Sequence, residues 1–187
     1  MTAAVVGLAA SLSACAQAPD TQQDPDAEQT PPSQQAPTIQ TEGTLIYLAD
    51  NLDEEAGLGW CIDTVGRGQS DQLHAHSCKP TGGDVQFSFD ADTGHIESVE
   101  YGGLCMAYSD PENVEVPFGL LDCVDDEPTQ RFAYDSDTME IKYGADPPQC
   151  VTVAETIDDA GPYQSRDLIM AACADLPASF KQWVIRA

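Results

Sequence analysis

The chain has 187 residues, and its 32 acidic and 7 basic side chains give it a net charge of −25. This length accommodates one domain of ordinary size plus a tail, and no apolar run approaches the ~20 residues that a membrane-spanning helix requires. The charge excludes nucleic acid as a partner and disfavours anionic glycans and acidic membrane surfaces, because binding them requires Lys and Arg. It indicates solubility. Calcium capture by the acidic run is the alternative. This run comprises Asp122, Asp125, Asp126 and Glu127, and it lacks the ligand spacing and glycine of a calcium loop.

The first 14 residues predict an export signal, because residues 3–14 are small and apolar but too few to span a membrane. The segment Leu12-Ser13-Ala14-Cys15 resembles the bacterial lipobox, which implies that Cys15 becomes a lipidated N-terminus. An ordinary signal peptide with an incidental cysteine is the alternative. No Lys or Arg precedes the apolar run, as expected if the true start lies upstream of Met1. Ala16 resembles the residue that directs lipoproteins to the outer membrane, so we expect an exported protein anchored by lipid at the outer membrane or surface of a Gram-negative bacterium.

Residues 15–42 are predicted to form a disordered tether. Residues 17–42 hold seven Gln, five Pro and no aromatic side chain, so this stretch buries too little apolar surface to offset its chain entropy. As a flexible coil it spans roughly 28 Å. From residue 43 onward, short apolar runs alternate with Gly, Pro, Asp and Asn, a pattern typical of brief strands.

The region 43–187 contains a threefold repeat. Cys61, Cys105 and Cys150 lie 44 and 45 residues apart, and each has a later partner cysteine, at 78, 123 and 173. A Gln-x-aromatic segment or its equivalent begins seven or eight residues after each partner, and Ile96 and Ile141 each lie nine residues before the first cysteine of their repeat. The repeats cover about 43–91, 92–136 and 137–187. Each repeat is predicted to form four strands. In the first repeat they lie at 44–48, 58–63, 72–77 and 85–90, and in the second at 95–99, 104–108, 117–122 and 130–134. In the third they lie at 139–143, 150–153, 168–172 and 182–186.

Six cysteines in this region indicate disulfides and not a zinc cage, because no Cys-x-x-Cys spacing is present. Counting alone permits fifteen pairings, and the repeat selects one bridge within each unit: Cys61–Cys78, Cys105–Cys123 and Cys150–Cys173.

These motifs resemble those of the ricin B-type lectin family, whose repeats carry Cys-x-Asp, a second cysteine and then Gln-x-Trp. The resemblance covers about residues 43–187, and only the third repeat keeps the tryptophan, Trp183, with Lys181 in place of the glutamine. It implies an all-β fold, the β-trefoil, in which a six-stranded barrel is capped by three hairpins. Trp60 and Trp183 are expected to fill the core.

The resemblance also implies a sugar site in the first repeat, made by Asp63, His74, His76 and Gln86. A carboxylate accepts sugar hydroxyls while a flat ring stacks on the apolar face of a pyranose, and His76 holds the ring position. A spacing of two in a strand puts both imidazoles on one face. For Gln86 and Gln130, hydrogen bonding to the backbone is the alternative role. The other two repeats lack the carboxylate and the ring, because they have Ala107 and Leu121, and Thr152 and Ala171.

The sequence therefore predicts a noncatalytic carbohydrate-binding protein that recognises a neutral glycan, acts as a monomer and uses no cofactor. It contains no nucleophile elbow, zinc-protease motif or phosphate loop, so we do not expect an enzyme. A structural or protein-interaction module with decayed sugar sites is one alternative. A zinc or copper site formed by His74, His76 and Asp63 is another, because imidazoles suit these ions.

Overall fold

The computed structural model describes residues 37–39, 42–109, 116–144 and 148–187. The predicted signal segment, the lipidation site Cys15 and almost all of the predicted tether lie outside these residues. Within them, no helix has both the length and the apolar character needed to cross a membrane.

All twelve predicted strands are present, with ends that differ from the predicted ones by at most three residues. The first repeat contains β1 (Leu45–Leu48), β2 (Trp60–Thr64), β3 (Leu73–Ser77) and β4 (Phe87–Phe89). The second contains β5 (Ile96–Ser98), β6 (Leu104–Tyr108), β7 (Phe118–Asp122) and β8 (Ala133–Asp135). The four predicted strands of the third are β9 (Glu140–Tyr143), β10 (Gln149–Val153), β13 (Leu168–Ala172) and β14 (Trp183–Arg186).

Strand pairing reproduces the threefold repeat. The last strand of each repeat pairs antiparallel with the first strand of another, in the pairs β4–β5, β8–β9 and β14–β1, so the repeats close into a ring. The two middle strands of each repeat form an antiparallel pair: β2–β3, β6–β7 and β10–β13. Three inter-repeat pairs and three middle-strand pairs around one axis make this a β-trefoil, as the sequence predicts.

The third repeat contains an additional hairpin that the strand pattern does not predict. Strands β11 (Asp158–Ala160) and β12 (Tyr163–Arg166) lie between β10 and β13 and pair with each other. Strand β12 also pairs with β3 of the first repeat, with Ser165 opposite His76 and Arg166 opposite Ala75. The insertion explains the longer cysteine spacing of this repeat, 23 residues against 17 and 18. The remaining elements are short: 3-10 turns at Pro128–Gln130 and Cys173–Asp175, and the helix α1 (Ala178–Lys181).

The three predicted disulfides are confirmed, one in each repeat. Their Cα–Cα distances are 5.0, 4.9 and 5.0 Å, and each second cysteine donates its amide to a carbonyl two residues before the first. The bridges therefore occupy equivalent positions, each tying together the two middle strands of its own repeat.

The core is built from equivalent residues of the three repeats. Ile46, Ile96 and Ile141 pair with the last strands and are all fully buried. Ile46 is absent from the sequence pattern because the connection between β1 and β2 has eleven residues, whereas the corresponding connections in the other repeats have five. A second buried layer holds Ile62, Met106 and Val151, which directly follow the first cysteines. Trp60 and Trp183 are fully buried as predicted, and their indole N–H groups donate to Asn51 O and Val151 O.

Candidate functional site

The middle-strand pairs place the predicted site positions in the same register in every repeat. In the first, Asp63 lies opposite His74, and Cys61 lies opposite His76. The corresponding pairs are Ala107–Gly119 and Cys105–Leu121 in the second repeat, and Thr152–Ile169 and Cys150–Ala171 in the third. Only the first repeat has a carboxylate and rings at these positions.

Asp63 lies at the base of the site, and its carboxylate forms an ion pair. It is fully buried, and its Oδ2 lies 2.8 Å from Lys79 Nζ, which also lies 2.5 Å from Asp84 Oδ2. The side chain of Lys79 is 14% exposed, so the ion pair is largely shielded from solvent. In the part of the chain that the structure describes, Oδ1 of Asp63 has no hydrogen-bond donor in good geometry.

The two histidines share one face of β3, as the spacing predicts. Their ring centroids are 5.3 Å apart, and Nδ1 of His76 lies 3.6 Å from Asp63 Oδ2. Nδ1 of His76 also lies 2.9 Å from Ser77 O, which can only accept, so we assign the ring proton to Nδ1. His76 is 6% exposed and His74 is half-buried, with its Nε2 enclosed and lacking a partner among the described residues.

Burial shifts the protonation equilibria of this cluster. It raises the pKa of Asp63 to about 6, although the ion pair with Lys79 opposes the shift. Burial lowers the pKa of His74 to about 4, with His76 adding to the effect, and it also lowers the pKa of His76. For Lys79, burial alone would lower the pKa, but Asp63 and Asp84 outweigh it and raise the pKa. At neutral pH the site therefore holds the Lys79 ammonium, the Asp63 carboxylate and two neutral imidazoles.

These shifts predict opposing effects of pH on stability. The folded state holds the Asp63 proton more tightly than the unfolded chain does. The contribution of Asp63 to the free energy of unfolding therefore falls as pH rises from about 4 to 6. His74 has a lowered pKa, so its contribution to stability increases as pH rises from about 4 to 6.5. An Asp63→Asn variant removes the first effect, and we expect its free energy of unfolding to rise more steeply with pH than that of the wild type. Urea unfolding at pH 4, 5, 6 and 7 measures the difference, and parallel curves would contradict the assignment.

The inserted hairpin forms one wall of the site. The ring centroid of Tyr163, at the start of β12, lies 5.5 Å from that of His76 in an edge-to-face arrangement. Ser77 Oγ accepts a hydrogen bond from the Gln164 amide at 3.0 Å and donates to Glu54 Oε1 at 2.8 Å. The third repeat therefore contributes directly to the surroundings of a first-repeat site.

Gln86 occupies a different position from the one that its motif suggests. The inter-repeat strand pairs place Phe87, Phe132 and Trp183 at equivalent positions. The residue two before each of them is Val85, Gln130 or Lys181. Gln86 therefore does not correspond to Gln130. The Gln130 side chain bonds the backbone on both sides of Cys123, which is its predicted alternative role. The Gln86 amide donates to Glu42 O, as the Gln182 amide donates to Thr138 O. Gln86 thus makes a backbone contact beside the barrel, and its part in sugar binding stays a prediction.

Lys79, Asp84 and Tyr163 belong to the site but were not predicted. Lys79 follows Cys78 directly, and it is one of only seven basic residues in a chain of net charge −25. A lysine directly after the second cysteine of the repeat that carries Asp63 was therefore an available signal. For Tyr163, nothing in the local sequence pattern points to a contact with the first repeat.

The geometry does not favour the metal alternative. The ligand atoms of Asp63, His74 and His76 do not all lie within 4.8 Å of one another. Among the described residues, the groups that do converge are His95 with Cys105 and Cys123, and Glu140 with Cys150 and Cys173. The cysteines of both groups form disulfides and cannot act as thiolate ligands.

The closed ring of three disulfide-bonded repeats defines the class of protein as a disulfide-linked β-trefoil with a polar cluster in its first repeat. The family model of the ricin-type β-trefoil lectin domain matches residues 50–183. The chain therefore belongs to the ricin-type β-trefoil lectin family, whose domains are in general noncatalytic and bind carbohydrate. A search of curated proteins with the sequence found no significant match.

Two solved structures illustrate the structural similarity. One is the β-trefoil lectin of the Vibrio vulnificus hemolysin/cytolysin with N-acetyl-D-lactosamine bound, with TM-score 0.53, 10% identity, and coverage of 76% of this chain and 91% of that one. The other is a non-toxic homologue of type II RIPs from Momordica charantia (bitter gourd) in complex with α-methyl-D-galactoside, with TM-score 0.52 and 16% identity. It covers 76% of this chain, and this chain spans 46% of the bitter gourd protein. At these identities the similarity shows the fold alone.

Proposed function

We propose that this domain recognises a neutral sugar, without catalysis, through its first repeat. Asp63 accepts sugar hydroxyls, His74 supplies a neutral imidazole nitrogen, and His76 forms part of the wall against which the pyranose lies. Lys79 has a flexible four-carbon stem, so its ammonium can swing away from Asp63 when a hydroxyl takes its place. The free energy lost with the Asp63–Lys79 ion pair then nearly balances the free energy gained from the sugar hydroxyl, so the affinity is weak.

One observation carries this proposal: the unsatisfied polar atoms of the described residues concentrate here. Seven buried side-chain nitrogen or oxygen atoms lack a well-aligned hydrogen-bond partner, and four of them belong to Asp63, His74 and Asp84. One of the four, Asp63 Oδ2, is in ion-pair contact with Lys79, so three are left: Asp63 Oδ1, His74 Nε2 and Asp84 Oδ1. Buried polar atoms without partners are uncommon and each costs free energy, so a cluster of them calls for an explanation. A polyhydroxylated ligand supplies the hydroxyl groups that such a cluster can bond.

A glycan array with the full chain tests the proposal. We expect the wild type to bind neutral glycans and Asp63→Asn to lose that binding, because the amide replaces an acceptor-only group. His74→Gln is a second variant, which removes the imidazole and affects folding independently of Asp63→Asn. Leu121→Ala is the matched control, because Leu121 holds the position of His76 in the second repeat and is 49% exposed. Equal glycan binding by the wild type and a folded Asp63→Asn variant would refute the assignment.

A structural or protein-interaction module is the second candidate, and the burial of Asp63 favours it. A carboxylate that is fully buried and already paired with Lys79 can act as part of a fixed internal network. In that case the trefoil is a scaffold, and the wild type binds no glycan on the array.

We propose further that the chain is exported and anchored by lipid on Cys15, with the acidic segment up to residue 42 acting as a tether. The support is the lipobox resemblance and the Gln- and Pro-rich composition. A single acyl chain gives only marginal membrane binding, so stable anchoring needs the diacylglycerol that the resemblance implies. Incorporation of labelled palmitate into the wild type but not into Cys15→Ala is the expected result, and equal labelling would contradict it.

A further inference from the structure

A cleft of about 340 Å³ lies between the first-repeat loop at 54–56 and the hairpin β11–β12. Its walls include Tyr163, Gln164, Glu54, Glu55 and Asp159. Glu54 is buried and its carboxylate already accepts from Ser77 and Leu58, so the carboxylates open to a ligand are those of Glu55 and Asp159. An aromatic ring, an amide and carboxylates are the groups that recognise a pyranose, through stacking and through acceptance of hydroxyl hydrogens. The middle strands of the individual repeats do not produce this cleft, because it depends on the insertion in the third repeat.

The cleft adjoins the first-repeat site through one shared contact. Tyr163 lines the cleft and at the same time lies edge-to-face with His76, which in turn lies next to Asp63. Asp63 is fully buried and its Oδ1 has no well-placed donor among the described residues, so the adjoining site has unfilled hydrogen-bonding capacity of its own. The cleft and the first-repeat site therefore meet at the contact between Tyr163 and His76.

The hairpin is held firmly enough to present Tyr163 in a fixed position. The backbone pairing of β12 with β3 fixes its register, and the Glu55 amide donates to Gln164 Oε1 at 2.9 Å. The guanidinium of Arg166 donates to Ala154 O, Glu155 O and Leu52 O, each at 2.8 Å. A ring carried on a rigid strand loses little conformational entropy when a ligand stacks on it.

We propose that this cleft is a second sugar subsite, so that the domain binds two linked pyranose units, one at Asp63 and one against Tyr163. The proposal rests on the proposed function, because it extends the same site. The charged side chains that line the cleft are all acidic. The unit bound there consequently carries hydroxyl or amino donors, and acidic sugars such as sialic acid or uronic acids are rejected.

Titration calorimetry with the full chain tests the two-unit site, using methyl α-galactoside and methyl β-glucoside as single units and N-acetyl-lactosamine and cellobiose as linked pairs. For at least one pair, we expect Tyr163→Ala to lower the affinity roughly tenfold, the magnitude of a lost aromatic contact. The affinity for single units should fall by a clearly smaller factor, because Tyr163 also packs against His76. Tyr163→Phe keeps the ring and should bind within about twofold of the wild type, given the same aromatic contact. Adding sialic acid to N-acetyl-lactosamine should weaken binding.

The outcomes separate this inference from the proposed function. If Asp63→Asn abolishes binding and Tyr163→Ala changes nothing, the subsite is refuted and the first-repeat site stands. If Tyr163→Ala abolishes binding and Asp63→Asn changes nothing, the cleft binds sugar on its own and the Asp63 assignment fails. An equal loss for single and linked units in Tyr163→Ala also overturns the subsite, because Tyr163 then only supports His76. Absence of binding by the wild type to all four sugars refutes the two-unit site.

Discussion

Reduction of the three disulfides is expected to unfold the domain. Each bridge closes a loop of 17 to 23 residues and contributes about 3 kcal/mol in the chain-entropy model, so the three together approach the ~5–15 kcal/mol stability of a typical domain. We expect the fully reduced protein to be unfolded at 25 °C, or to melt roughly 20 to 35 °C below the oxidised form. Circular dichroism melts with and without reductant, with titration of free thiols to confirm complete reduction, provide the measurement.

Pairwise variants separate the contributions of the bridges. Cys105→Ala with Cys123→Ala, and Cys150→Ala with Cys173→Ala, each remove one bridge and should each cost about 3 kcal/mol. In the Cys61–Cys78 bridge both cysteines are fully buried, whereas Cys123 and Cys173 are half-exposed, so reductant should attack Cys61–Cys78 last. A melting temperature that stays unchanged after complete reduction would show that the noncovalent core alone supports the trefoil.

The sequence predicts the strands of this fold well because three independent copies report on the same structure. The half-cystine spacing, the buried isoleucines and the aromatic residues of the last strands recur with one period, and the pairs β4–β5, β8–β9 and β14–β1 confirm it. A single repeat would have left most of its short strands ambiguous, since runs of three to five residues carry little periodicity. The repetition supplies the information that each strand lacks.

The inserted hairpin could not be predicted in the same way, because its pairing is nonlocal. The sequences Asp158–Ala160 and Tyr163–Arg166 are polar and show no alternation of apolar side chains. These strands form because β12 adds to the edge of β3, so tertiary contact overrides local propensity. From the sequence alone, the insertion appears only as a longer distance between Cys150 and Cys173.

The candidate site shows a similar division between what is local and what is not. The positions of Asp63, His74 and His76 follow from strand period and spacing, and the structure brings them together as predicted. The ion pair with Lys79 and the full burial of Asp63 depend on the loop after β3, whose path the pattern does not encode. Counting from the second cysteine aligns Gln86 with Gln130 of the second repeat to within one residue. The strand pairing instead aligns Val85 with Gln130, because the buried aromatic residue of the last strand sets the register.

Replacing Arg166 with alanine is expected to detach the hairpin from the first repeat. Arg166 is 3% exposed, donates to three carbonyls and lies with its guanidinium carbon 4.7 Å from the centroid of the Trp60 ring. Its removal takes the donor from three part-buried hydrogen bonds and loses the cation–π contact with Trp60, so we expect Arg166→Ala to lower the free energy of unfolding by about 3 kcal/mol. Urea unfolding measures the loss, and hydrogen exchange should show weaker protection of the amides of β12.

Arg131→Ala is the matched control for this variant. Arg131 forms an ion pair with Asp126 at 2.9 Å, but its side chain is 51% exposed and that of Asp126 is 90% exposed. Exposed pairs contribute little, so a change within about 0.5 kcal/mol is expected. Arg166→Lys should recover only part of the stability, because one ammonium cannot reproduce the planar fork that reaches Ala154, Glu155 and Leu52 together. Equal stability of Arg166→Ala and Arg131→Ala would mean that the hairpin is held by its backbone pairing with β3 alone, and the wall of the sugar site would then depend on that pairing and not on Arg166.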